Sequence, residues 1–281
     1  MRMELPAVLH LDLDGAWRDL PLPRLDASAW GPHLRFTAPA QAVEKFAAEM
    51  EGKVPPFLIF GSGDFHHLSA LWIRRLREPF TLVSFDNHPD WDVRPPRWTC
   101  GGWINRALEL PQVKRVAVWG CGNFECWGLH QLFGNRKAER SGRLQVHPWT
   151  DGQPRPDVAR RGAIHRSDWK RKFESFVGTL RGTIVYVTID LDCLREEFAL
   201  TNWENGRFTL DDLCWALALL RNETQVIAGD ICGAYSPPVF ARGKQRFAAN
   251  WDHPRLRLPN AAEIARRNRA AFDVLWPALA Q

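Results

Sequence analysis

The sequence predicts an α/β domain built on a mostly parallel sheet, and three observations predict it. Short runs rich in Val, Ile and Phe recur along the 281 residues. Most of these runs are apolar on both faces, which suits strands covered on both sides. Helical patterns lie between them, and such alternation argues for right-handed crossovers around one sheet. No internal repeat or low-complexity linker interrupts the pattern, so residues 1–281 read as a single domain.

Seven runs read as strands: AVLHLDL (7–13), FLIF (57–60), FTLVSFD (80–86), RVAVWG (115–120), RLQVH (143–147), TIVYVTIDL (183–191) and QVIAGDI (225–231). Helices are expected at 40–51, 67–77, 168–181, 209–221 and 260–280. The second places Leu68, Leu71, Trp72 and Leu76 on one side. Ser167 is the expected cap of the third. Thr209 is a good N-cap for the fourth, with Asp211 and Asp212 suited to the positive helix start. Residues 148–166 and 236–256 read as long loops. In open sheets of this kind, ligands sit just outside the carboxyl ends of the strands.

Composition narrows the function. Hydrophobic residues make up 45% and charged residues 25%, ordinary for a globular chain. The charge of +5 is mild. The arginine clusters at 74–77, 155–161, 166–172 and 255–269 read as solvated helix faces. With no RRM, zinc-finger or helix-turn-helix signature, nucleic acid is a disfavoured partner. The six cysteines form no CxxC pair, and read as buried small hydrophobes rather than a disulfide framework. No run approaches the ~18 apolar residues of a membrane span. The chain is therefore expected to be soluble and cytoplasmic, with a small-molecule substrate and no membrane partner. A homo-oligomer is compatible with this reading. The 14 tryptophans are too dispersed to identify a ligand.

Three segments carry chemistry. FDNHPDWD (85–92) follows a strand and places Asp86, His88 and Asp90 at alternate positions, which share a face on an extended chain. TIDLD (188–192) ends another strand with Asp190 and Asp192. Charged pairs at the end of an apolar run are costly unless paired or bound to metal. GSGDFHHLS (61–69) offers His66 or His67 between a strand and a helix. Oxygen donors with imidazole suit Mn²⁺, and less selectively Zn²⁺ or Fe²⁺.

In order and spacing, these segments resemble the ureohydrolase superfamily of arginase, agmatinase and formimidoylglutamase, whose GGDH-type, DAHxD and SxDxD motifs each follow a parallel strand. The resemblance covers roughly residues 55–235. It implies a three-layer α/β/α fold and two manganese ions. Carried over, Asp86 and Asp190 would bridge the metals, Asp90 and one of His66 or His67 would complete one site, and His88 and Asp192 the other. A hydroxide shared by the metals would attack an sp² carbon, and an acid must then protonate the leaving nitrogen.

The chain also departs from the family. Gly233 stands where a guanidinium-gripping Glu is expected, after Asp230, which argues against arginine or agmatine as substrate. The segment after DNHPD has no histidine to shuttle protons. Asp90 and Cys100 are the remaining catalytic candidates. The expected activity is hydrolysis of a non-peptide C–N bond, in a linear amide or amidine; the alternative is a non-catalytic, metal-binding member of the fold. Asp12 and Asp14 either approach the site or cap the turn after their strand. Trp91, Trp98, Trp103 and Trp119 are candidates for lining the pocket or for the core. Arg242, Lys244 and Arg246 are candidates for meeting an anionic substrate or for a solvated loop.

Overall fold

All seven apolar runs become strands of one sheet, and an eighth strand joins at an edge. The computed structural model describes residues 7–152 and 160–280. In chain order the strands are β1 (Val8–Asp12), β2 (Arg24–Asp26), β3 (Phe57–Phe60), β4 (Phe80–Phe85), β5 (Val113–Cys121), β6 (Leu144–Pro148), β7 (Ile184–Asp190) and β8 (Gln225–Cys232). Across the sheet they run β2-β1-β3-β8-β7-β4-β5-β6, every neighbouring pair parallel. The four central strands, β3, β8, β7 and β4, are the ones whose ends carry the predicted motifs.

Strand alternation sorts the core into two faces. Leu58, Phe60, Leu82, Val116 and Val118 pack against helices α1 (Ala40–Met50) and α2 (Trp103–Leu108). Ile59, Val83, Phe85, Ala117 and Val187 face α3 (Trp169–Gly178), α4 (Leu210–Glu223) and α6 (Ala261–Ala280). The result is the expected three-layer α/β/α arrangement. Helix α4 begins as predicted: Thr209 accepts from the Asp212 backbone N–H and Asp212 returns a bond to the Thr209 N–H, a complete capping box. No helix among the described residues is long and apolar enough to cross a membrane.

Four expectations change. The helix expected at 67–77 is shorter. Its start is spent on a 3₁₀ turn, Gly63–Leu68, before one α-helical stretch at Ser69–Ile73. Ser167 does not cap α3; Asp168 holds that position and its carboxylate turns back to the His165 N–H at 2.9 Å. The stretch 236–256 is not all loop, since Gly243–Asp252 forms helix α5. Its apolar pattern is weak, and its order comes from tertiary anchors: buried Gln245 donates to the Arg35 carbonyl and His253 reaches Asp64. Of the loop expected at 148–166, Trp149 pairs with Ile164 beside β6. Residues 153–159, with Arg155 of the 155–161 cluster, lie outside the described residues.

One buried ion-pair network ties the carboxyl end of the sheet together. Arg35, 1% exposed, donates from Nε to Asp64 at 2.6 Å and from Nη1 to Ser236 at 2.9 Å. Asp64 also accepts from His253 at 2.7 Å and from the Trp203 indole at 3.2 Å. Burial works against the Asp64 charge, but Arg35 and His253 outweigh it and hold the carboxyl down at about 2.

Candidate metal centre

The predicted donors converge, but not through an extended chain. After β4 the Asp86 carboxylate accepts the His88 backbone N–H at 2.7 Å, which closes a tight turn and folds the His88 ring back over the strand ends. Asn87 fastens that turn: its N–H donates to Asp192 at 3.0 Å and its side-chain amide to the Glu204 carbonyl at 2.8 Å. Asp90 sits in the left-handed region at φ 45°, an uncommon place for a non-glycine residue. Its Oδ2 accepts the Trp103 indole N–H at 2.7 Å. After β7 the same device recurs, with Asp190 accepting the Asp192 N–H at 3.0 Å.

The 3₁₀ turn after β3 aims His66 into this group. Its Nδ1 lies 3.1 Å from Asp86 Oδ2, 3.3 Å from Asp90 Oδ2 and 3.5 Å from Asp190 Oδ2. A second cluster joins His88, Asp86 and Asp192, with His88 Nδ1 at 2.8 Å from Asp192 and 3.8 Å from Asp86. Asp86 belongs to both clusters. His67, though fully buried, belongs to neither, and burial pushes its imidazole down to about 3. Of the two histidines, His66 is the one the structure brings among the carboxylates. Cys232 approaches Asp190 at 3.5 Å, but burial drives its thiol pKa well up, so it stays protonated beside the cluster.

The hydrogen bonds fix the His66 tautomer. Thr188 spends its single hydroxyl proton on Asp230, at 2.5 Å. It can therefore only accept from His66 Nε2, which lies 2.9 Å away. In its neutral form His66 would then present an Nδ1 lone pair to the three carboxylates. His66 Nδ1 and Asp86 Oδ2, 3.1 Å apart, are buried polar atoms without hydrogen-bond partners. Unsatisfied acceptors facing one another fit a cation between them.

The electrostatics point the same way. Burial raises the carboxyl pKa of Asp86, Asp190 and Asp192, with Asp192 pushed to about 6 and like charges adding to each. Burial opposes charge on His66 and His88, but the surrounding carboxylates hold both imidazoles well above the usual 6.5. Two imidazolium charges would still leave two of the four carboxylates unbalanced. Two divalent cations would balance all four and let both histidines be neutral.

The cavity above the cluster is narrow, about 50 Å³, and its mouth carries three further acids, Glu125, Glu204 and Asp252. Burial pushes the Glu125 carboxyl up to about 7, with His88 opposing and Asp90 and Asp252 adding. Glu204 Oε1 accepts from Asn123 at 2.8 Å and lies 3.7 Å from His88 Nε2. Its carboxyl is held at about 2: burial works against this, and the neighbouring His88 imidazole outweighs it. None of these acids lies in a recognisable motif. Glu125 follows β5 in NFEC, Glu204 sits in NWEN and Asp252 ends α5. Gly233, at φ 103°, lies against Asp190 so closely that a Cβ there would collide with its carboxylate. A glutamate has no place at 233, yet a cationic group entering the cavity does not lack carboxylate partners.

The remaining candidates separate. Cys100 lines the cavity rim, packs with Phe36, Trp203 and Ala249, and has its thiol pKa pushed well up by burial and by Asp64 and Asp90. Asp230 is buried under Tyr186 and Thr188 and reaches His66 only through Thr188. Asp12 caps the turn at Gly15 and pairs with Arg24. Asp14 joins Ser236 and Arg35. Trp91, Trp98, Trp103 and Trp119 are core residues. The tryptophan that lines the cavity is Trp203, which sequence reasoning passed over. Arg242 donates to the Thr37 carbonyl at 2.6 Å, and neither it, Lys244 nor Arg246 lines the cavity.

No family model matches the chain. An uncharacterized protein of Thermotoga maritima is 31% identical over 208 residues, covering 72% of this chain and 69% of that protein. Arginase from Medicago truncatula superposes with a TM-score of 0.55 at 13% identity, covering 97% of this chain and 85% of its own. A variant of Trypanosoma cruzi formiminoglutamase solved with Mn²⁺ gives 0.51 at 16%, covering 86% and 89%.

Proposed function

We propose, for a chain that shares a sequence family with the Thermotoga maritima protein and belongs by fold to the ureohydrolase superfamily, a hydrolase of a non-peptide C–N bond that works with two divalent cations. The observation that carries this reading is His66 Nδ1 placed 3.1–3.5 Å from Asp86, Asp90 and Asp190, with its Nε2 against the Thr188–Asp230 pair. His66, Asp86, Asp90 and Asp190 would hold one cation; His88, Asp86, Asp190 and Asp192 would hold the other. Manganese suits this mixture of carboxylate and imidazole, with Zn²⁺ and Fe²⁺ as competitors. When bound, such a pair supplies a water activated for attack on an sp² carbon.

The chain's own residues do the rest. Glu125, Glu204 and Asp252 give the cavity mouth a negative field, which favours an amidine-type or other cationic head over a neutral amide. This shifts the expectation from Gly233: the charge partner comes from other loops. Glu125, with its carboxyl near 7, is better tuned than Cys100 to give a proton to the leaving nitrogen. Trp203, 9% exposed, closes one wall against water.

A panel of amidines, guanidines and linear amides with manganese added tests the reading. Turnover of at least one cationic member, abolished in His88→Ala, supports it. A protein that binds two metals and turns over none of them is instead the non-catalytic member of the fold.

A further inference from the structure

Strand β8 meets the acidic cluster through two alternate residues, which share a face of the sheet. Asp230 acts at a distance, through Thr188 to His66 Nε2. Cys232, two residues on, comes closer. It stands in register with Asp190 on β7, and its thiol donates to Asp190 Oδ2 at 3.5 Å. The Cys232 sulfur, one Asp190 oxygen and one His66 ring nitrogen all lie within 4.8 Å of one another, and all three residues are buried.

These spacings suit donors on one ion. A tetrahedral ion holds thiolate sulfur at about 2.3 Å and carboxylate oxygen at about 2.1 Å, which sets the two donors about 3.6 Å apart. An imidazole nitrogen on the same ion comes out about 3.4 Å from that oxygen. Asp190 Oδ2 lies 3.5 Å from Cys232 Sγ and 3.5 Å from His66 Nδ1. A thiol hydrogen bond alone accounts for the first contact. It does not account for the second, because His66 Nδ1 is buried there without a hydrogen-bond partner.

We propose that Cys232 is a ligand of the cation held by His66 and Asp190, and that its sulfur makes this position prefer Zn²⁺ to Mn²⁺. Without a cation the thiol keeps its proton and donates to Asp190. On binding, the S–H bond breaks, the metal–sulfur bond forms and the proton leaves to solvent. Thiolate favours zinc, whereas manganese favours carboxylate and water. The second cluster, His88 with Asp86 and Asp192, offers only oxygen and imidazole, so it stays suited to manganese. The inference rests on the two-cation reading and deepens it, by giving the two positions different metals.

Absorption spectroscopy of the purified chain, stripped of metal and titrated with Co²⁺, tests it. Cobalt stands in for zinc and reports its ligands in separate bands. A sulfur-to-cobalt charge-transfer band in the near ultraviolet is expected in the wild type. It should be lost in Cys232→Ser and Cys232→Ala, and kept in Cys100→Ser and Cys193→Ser. The visible d–d bands of bound cobalt should persist in all four variants. The ratio of Zn²⁺ to Mn²⁺ affinity should fall by about tenfold or more in Cys232→Ser, since even outer partners of a ligand commonly carry that factor. Visible bands without the charge-transfer band, or a charge-transfer band that survives Cys232→Ser, overturn the sulfur ligand. An unchanged affinity ratio overturns the metal preference. No cobalt band of either kind in the wild type overturns the two-cation reading as well.

Discussion

Thr188 Oγ1 lies 2.9 Å from His66 Nε2 and decides which nitrogen of that ring faces the acids. The hydroxyl is committed to Asp230 as donor, so it orients a ligand without touching the cation site. Outer partners of this kind commonly carry about 10–100-fold in metal affinity. Thr188→Val, which keeps the shape and removes the acceptor, should weaken manganese binding by about that factor, while His66→Ala should cost more. His67→Asn should leave metal stoichiometry at the wild-type value. Competition titration against a chelator checks all three; equal losses in the His66 and His67 variants would reject the assignment.

Gly233→Glu should not create a guanidinium site. A side chain at 233 meets Asp190 at once, and φ of 103° disfavours any residue but glycine. The expected result is loss of bound metal and no gain in affinity for guanidines. Elemental analysis of the purified variant decides, and a variant with full metal content that binds guanidine more tightly contradicts the geometry.

The Arg35–Asp64–His253 network should be a large stability element. Removing the charge of Asp64 leaves buried Arg35 with only the longer carboxylate contact to Asp14, at 3.4 Å, and breaking a buried ion pair typically costs about 3–5 kcal/mol. Asp64→Asn should therefore lower the denaturant midpoint strongly. The folded pKa of Asp64, about 2, lies below its ordinary 3.8. Its contribution is therefore complete above about pH 4 and fades as pH falls toward 2. Wild type and Asp64→Asn should converge in stability over that acid window. Parallel curves across it would reject the ion pair as the cause.

Thr209→Ala should cost about 1 kcal/mol through the lost cap of α4, read as a shift in unfolding midpoint without change in metal content. This cap was visible in the sequence because capping is local: Thr209 and Asp212 need only each other. The strands were legible for a similar reason, since each central one is buried on both faces and reads as a plain apolar run. β2 was not, because Arg24–Asp26 is a three-residue polar edge strand with nothing periodic about it. Helix α5 was hidden because its order comes from Gln245 and His253 meeting residues some two hundred positions away.

The site divides along the same line. Asp86, His88, Asp90, Asp190 and Asp192 were legible because strand ends collect them in two short segments. The expected mechanism of convergence, an extended chain with alternate side chains, gave way to two aspartate-capped turns and the left-handed Asp90. His66 could not be told from His67, since the difference is the direction of a 3₁₀ turn. Glu125, Glu204, Asp252 and Trp203 come from separate loops and share no spacing, so only the assembled structure brings them together.

Two divalent cations per chain would share Asp86 and Asp190. Elemental analysis of the protein purified under native conditions tests it most directly. The account predicts about two transition-metal ions per chain, from the two donor clusters that share Asp86, and loss of both in Asp86→Asn/Asp190→Asn. Metal-free wild type after manganese supplementation, or unchanged content in the double variant, would contradict it.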